Sequence, residues 1–65
     1  MRLNIGVMKL EMTKKGMNQN ELAKEAGIDK ATLSLLMTKK RRGSLSTWEK
    51  IAKALELDIF ELVEK

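Results

Sequence analysis

The chain has no cysteine, histidine, proline or tyrosine, and its aromatic content is one tryptophan and one phenylalanine. Without cysteine and histidine there is no disulfide and no thiolate or imidazole metal site. Two of the side chains that most often act as nucleophile or general base are missing as well. No paired carboxylates are placed to replace them, so an enzyme is the weakest reading, and no cofactor, metal or small-molecule substrate is expected. The lack of cysteine fits a cytoplasmic protein. No apolar run approaches the ~18 residues of a membrane span, and no basic-then-apolar signal pattern follows Met1. No membrane partner is therefore expected. With no proline and only four glycines among many Ala, Leu, Lys and Glu residues, the composition argues for an all-α fold.

At 65 residues the chain has room for one core and hence one domain, 1–65. A domain of this size buries only about 60% of its unfolded surface, so modest stability is expected. The net charge of +4 matters less than its distribution. Residues 1–28 carry five basic and three acidic groups (+2), residues 29–43 five and one (+4), and residues 44–65 three and five (−2). The positive maximum is Lys30 with Lys39, Lys40, Arg41 and Arg42. A solvated loop can carry KKRR, but so does an edge that meets a polyanion.

The stretch from Gln19 to Thr38, QNELAKEAGIDKATLSLLMT, has the pattern of two short helices joined by a tight turn. Asn18 is an N-cap with Glu21 placed for a capping box. Leu22, Ala23 and Ala26 make one apolar face. Gly27 suits the left-handed residue at the helix end, where a side chain costs about 1–2 kcal/mol. Ile28 plugs the turn, and Asp29 caps a second helix, Lys30 to Thr38, that buries Leu33, Leu36 and Met37. This is the outline of a helix-turn-helix. Periodicity alone puts the DNA-binding reading only a little ahead of any helical hairpin in a small bundle, and its coincidence with the positive maximum favours nucleic acid.

In chain order, residues 3–15 form a first helix with Ile5, Met8 and Met12 on one face and Lys9, Glu11, Lys14 and Lys15 opposite. Gly16 ends it, and Met17 is placed to staple onto Leu22 or Ala23. After the hairpin, residues 39–45 make a basic loop with a turn at Gly43. Ser46, with Glu49 three residues on, caps a fourth helix reaching about Leu55 and burying Trp48, Ile51, Ala52 and Leu55. Asp58 caps a last helix over 59–64 with Ile59, Leu62 and Val63 apolar. The expected architecture is a compact bundle of five short helices.

With KGMNQNELAKEAGI at 15–28, TLS at 32–34 and SLSTWEKIAKALELDIFEL at 44–62, the chain resembles the Cro and lambdoid-repressor (Xre-like) helix-turn-helix regulators of bacteria and phages. The likeness covers nearly the whole chain, without a gap from Lys15 to Leu62. It implies a lambda-repressor-like DNA-binding domain acting as a transcriptional regulator, a repressor, on double-stranded DNA in the cytoplasm (nucleoid-associated). It implies that the helix from Lys30 lies in the major groove. The base-reading positions are then Lys30, Ala31, Ser34 and Leu35, of which Lys30 can donate to guanine and Ala31 and Leu35 can touch thymine methyls. Gln19, Thr38, Lys39, Lys40, Arg41 and Arg42 are the implied phosphate contacts. So few hydrogen-bonding groups suggest a preference that leans on DNA shape.

Five positions depart from the family pattern. The buried Arg–Glu pair common in similar proteins falls at Met12 and Met37, so no buried charge lacks a partner, and these two methionines are expected to touch. The usual Gly after the third helix is Lys39, which either takes a positive φ or lets the helix run on toward Gly43. The usual Pro at 43 is Gly, which predicts a looser loop. The usual Gly before the last helix is Glu56. One recognition helix reads few bases, so a homodimer is implied, at least on DNA, through the fold's own surface, with Phe60 and Val63 as interface candidates. Phe60 as a cover for the end of the core is the plainer alternative. A protein-interaction module, antitoxin-like or an antirepressor, is the competing function, and its mark would be an apolar patch on the third or fifth helix without a positive rim.

Overall fold

The computed structural model describes residues 2–64. Among them are five helices: α1 (Ile5–Lys15), α2 (Gln19–Ala26), α3 (Lys30–Met37), α4 (Leu45–Ala54) and α5 (Ile59–Leu62). Two short strands, β1 (Arg2–Leu3) and β2 (Val63–Glu64), pair antiparallel, with Arg2 opposite Glu64 and Leu3 opposite Val63. The architecture is the expected all-α bundle, with a small strand pair joining its ends.

Helix boundaries follow local chemistry, with two corrections to helix starts and one to a helix end. The first helix does not begin at residue 3. Asn4 caps it by accepting from the Val7 amide at 3.1 Å, and Leu3 is left extended to bury its side chain. The last helix stops at Leu62 instead of 64, because the Asn4 amide takes the Leu62 carbonyl (2.8 Å) and Val63, at φ −110° and ψ 150°, turns into β2. The fourth helix is capped by Ser44 and not Ser46. The Ser44 hydroxyl accepts from the Thr47 amide, and its carbonyl accepts from Trp48 at 3.0 Å, which adds one residue pair to the helix. Asp58 caps α5 as expected, accepting from the Phe60 amide.

Four helices end in the same way. The amide that follows the positive-φ residue returns to a carbonyl near the helix end: Met17 to Met12, Ile28 to Ala23, Lys40 to Leu35, and Leu57 to Ala52, at 2.8–3.0 Å. This Schellman closure needs a left-handed residue. Gly16 (φ 64°) and Gly27 (φ 70°) supply it in α1 and α2, while Lys39 (φ 61°) and Glu56 (φ 58°) supply it in α3 and α4 without glycine's freedom. Of the two options for Lys39, the strained one is the one observed.

The core is a single cluster. Met8, Leu22, Leu33, Ile51, Leu55 and Leu62 are sealed at its centre, and Leu3, Ala23, Leu36 and Trp48 close it. Met12 and Met37 are both buried in it, at 7% and 8% exposure, where an unpartnered charge would be costly. No polar side chain is buried among the described residues. Helix α2 packs against both α3 and α4, and α5 packs against α1 and α4. The N-terminal half of the hairpin is thus clamped by the bundle, and α3 presents its outer face.

Candidate nucleic-acid interface

The capping box at the head of α2 is complete. The Asn18 side chain accepts from the Glu21 amide at 2.9 Å, and the Glu21 carboxylate accepts from the Asn18 amide at 3.0 Å. Gln19, the first residue of α2, is exposed beside this cap. Gly27 and half-buried Ile28 then reverse the chain. Asp29 holds the extended N-cap backbone of α3, but its carboxylate makes no capping bond. The expected side-chain cap is therefore absent, and Asp29 offers the helix start only its charge, which the helix dipole favours.

With Leu33, Leu36 and Met37 buried, helical geometry turns Lys30, Ala31, Ser34 and Thr38 outward, and all four are exposed. Leu35 is only half-buried on the same stripe. The Thr38 hydroxyl donates to the Ser34 carbonyl at 2.9 Å and lies 3.3 Å from that of Leu35. Its proton is thus engaged by its own helix, so a phosphate contact from Thr38 requires the hydroxyl to rotate.

The four consecutive cations follow at once. Lys39, Lys40, Arg41 and Arg42 are all exposed. The ion pairs among the described residues are Arg2–Glu64, Glu11–Lys14 and Lys15–Glu56, and none engages these four. Their backbone is nevertheless fastened. The Lys39 amide donates to Leu36, the Lys40 and Arg41 amides both donate to Leu35 (2.9 and 3.2 Å), and the Trp48 indole N–H donates to the Arg42 carbonyl at 2.9 Å. Gly43 follows at φ 78°, and a Cβ there would stand 2.7 Å from Leu36 Cδ2 and 3.2 Å from Trp48 Nε1. The loop is not the loose segment that replacing proline by glycine suggested. It is drawn down onto the core, and Gly43 is what permits the approach. The helical spacing marked Trp48 as a core residue, but nothing in it showed that its indole holds Arg42.

The interface candidates at the other end separate. Phe60 is 76% exposed, so it does not cover the core, while Val63 is half-buried in β2 opposite Leu3. Leu10 and Leu45 are the other large exposed apolar residues among those described, and α3 carries none. No group of His, Cys, Asp or Glu among the described residues is arranged to hold a metal ion, and no described helix is long and apolar enough to cross a membrane.

Solved structures share this arrangement. A hypothetical transcription factor, NHTF, from Neisseria is 33% identical with a TM-score of 0.83. The match covers 88% of this chain and 64% of that one, so this chain spans about two-thirds of its length. The N-terminal DNA-binding domain of SinR from Bacillus subtilis is 26% identical with a TM-score of 0.84, covering 94% of this chain and 90% of that one. The search of curated proteins gave no significant match. A family description, the Cro/C1-type HTH DNA-binding domain, matches residues 8–64, which takes in both helices of the hairpin, the basic loop and the two helices behind them. On that match the chain belongs to the Cro/C1-type helix-turn-helix DNA-binding domain family.

Proposed function

We propose that the chain is a sequence-specific DNA-binding transcriptional regulator, a repressor working as a homodimer, that places α3 in the major groove. One observation carries this reading. The exposed stripe of α3 runs directly into four cations that have no anionic partner among the described residues, so a base-reading face and a phosphate-reading edge are contiguous. Lys30, Ala31, Ser34 and Leu35 are the base-reading set. Gln19, Lys39, Lys40, Arg41 and Arg42 meet phosphates, with Thr38 joining them once its hydroxyl turns. The two neighbours named for DNA binding and transcription support the same class. The homodimer rests on size: the Cα trace measures 27 × 22 × 18 Å, too short for one copy to reach two half-sites about 34 Å apart. Such a regulator acts where the DNA is, in the cytoplasm.

The test is a pair of substitutions measured on a panel of duplexes. Lys30→Ala is expected to change which sequences are preferred. Arg41→Ala is expected to weaken all sequences alike and to lower the slope of log affinity against log salt by about 1. If both changes weaken every duplex equally, Lys30 does not read bases. The competing protein-interaction reading draws on exposed Phe60 in α5, and it prevails if the wild-type chain shows no salt-dependent DNA binding at all.

A further inference from the structure

A cavity of about 290 Å³ lies between the N-terminal strand and the loop that follows α3, lined by Arg2, Leu3, Ile5, Leu36 and the cations 39–42. Its floor is apolar and its rim carries five positive charges. No carboxylate is in the lining. Like charges gathered over a low-dielectric floor repel one another more strongly than in water, and a bound anion relieves that repulsion. The cavity is small for an organic ligand but has room for a phosphate group and part of what carries it.

Arg2 is the member that no helix-turn-helix pattern supplies. Its position is set by contacts between opposite ends of the sequence: Arg2 and Leu3 of β1 pair with Glu64 and Val63 of β2, and the Asn4 amide donates to the Leu62 carbonyl. The Arg2 Nε lies 3.3 Å from Glu64 Oε2, with the two side chains 70% and 41% exposed. An exposed pair of this kind is weak. It also engages one corner of a guanidinium that has five donors, which leaves the rest for an anion.

We propose that this cavity is a phosphate-binding site in which Arg2 acts with the loop cations, so that β1 extends the anion-binding surface beyond the loop. Two sources present that chemistry. One is a DNA backbone phosphate, which rests on the DNA reading above, and the other is a free phosphorylated small molecule. Glu64 is the competitor that an arriving phosphate displaces from Arg2.

The experiment compares wild type, Arg2→Gln and Glu64→Gln, each checked for an unchanged melting profile. Duplex DNA binding is followed across roughly 50–200 mM salt, and backbone amide NMR shifts are followed on adding pyrophosphate. On DNA, Arg2→Gln is expected to lower the salt slope by about 1, so that wild type loses about threefold to fourfold more affinity than the variant over that range. Glu64→Gln is expected to leave the slope intact and to bind as tightly as wild type or tighter, because it frees Arg2. Pyrophosphate is expected to shift the Leu3, Leu36, Lys40 and Arg41 amides in wild type and not in Arg2→Gln. A wild-type DNA slope in Arg2→Gln together with Arg2-dependent pyrophosphate shifts upholds the site and assigns it to a free phosphate. Absence of DNA binding by wild type defeats the DNA reading but leaves this site to the pyrophosphate result. The proposal is overturned if Arg2→Gln changes neither readout, or if Glu64→Gln weakens binding as much as Arg2→Gln does, since Arg2 would then serve only the strand pair.

Discussion

Lys39 and Glu56 are asked to do what glycine does in α1 and α2. Each adopts a φ near +60° to close a Schellman motif. A side chain in that region costs about 1–2 kcal/mol, while glycine gives back about 0.4–1 kcal/mol in unfolded-chain entropy. Lys39→Gly is therefore expected to stabilise the domain by about 0.5–1 kcal/mol, a rise of roughly 2–8 °C in Tm for a chain of this length. The same change removes a cation from the edge proposed to meet phosphate, so DNA affinity is expected to fall while stability rises. Opposite signs in a thermal melt and a binding titration would explain a strained lysine where glycine folds better. A lower Tm would mean that the Lys39 side chain makes a stabilising contact outweighing the strain. At this scale the sequence was legible in the capping box of α2 and in Gly16 and Gly27. The start of α4 misled, because SLST offers two serines with suitable spacing, and only the reach of the Ser44 carbonyl to Trp48 decides between them.

The element that governs the surface is the segment from α3 to α4, in which the helix is regular and the loop is held from below. Trp48 is 6% exposed, and its indole N–H is given to the Arg42 carbonyl. Trp48→Phe keeps most of the apolar volume and removes that bond. A stability loss of about 1 kcal/mol is expected, the usual worth of one hydrogen bond. DNA binding is expected to weaken several-fold with the salt slope unchanged, because the cations remain but their loop must be ordered on binding. Base preference, set on α3, should stay as in wild type. Unchanged affinity in a folded variant would show that the tether does not position the cations. Helix periods were readable for α1 to α4 because each buries one stripe, whereas α5 is four residues long and buries only Leu62. The strand pair was not readable, since two-residue segments at opposite ends carry no period at all.

For the whole molecule, the open question is how two copies meet. Phe60 stands 76% exposed on α5, within the acidic stretch 44–65 of the chain. Phe60→Asp should cost little stability, because the ring buries little within the monomer. If α5 forms the dimer contact, the change is expected to abolish cooperative binding to a two-half-site duplex while leaving binding to a single half-site near wild type. Sedimentation with and without DNA checks the assembly directly. Cooperative binding that survives Phe60→Asp would move the interface elsewhere, with Leu10 and Leu45 as the remaining large exposed apolar residues among those described.

The sequence by itself determined the helical class, the hairpin and which stripe of α3 faces out, because these depend on spacing of a few residues and on caps that act locally. It also located the positive maximum. Tertiary structure alone decided that residues 2–3 and 63–64 pair, that Gly43 lies against Leu36 and Trp48, and that Arg2 shares a cavity with Lys39 to Arg42. Those outcomes depend on contacts between segments far apart in the chain, and no local pattern records which distant surface a side chain will meet once the core has closed.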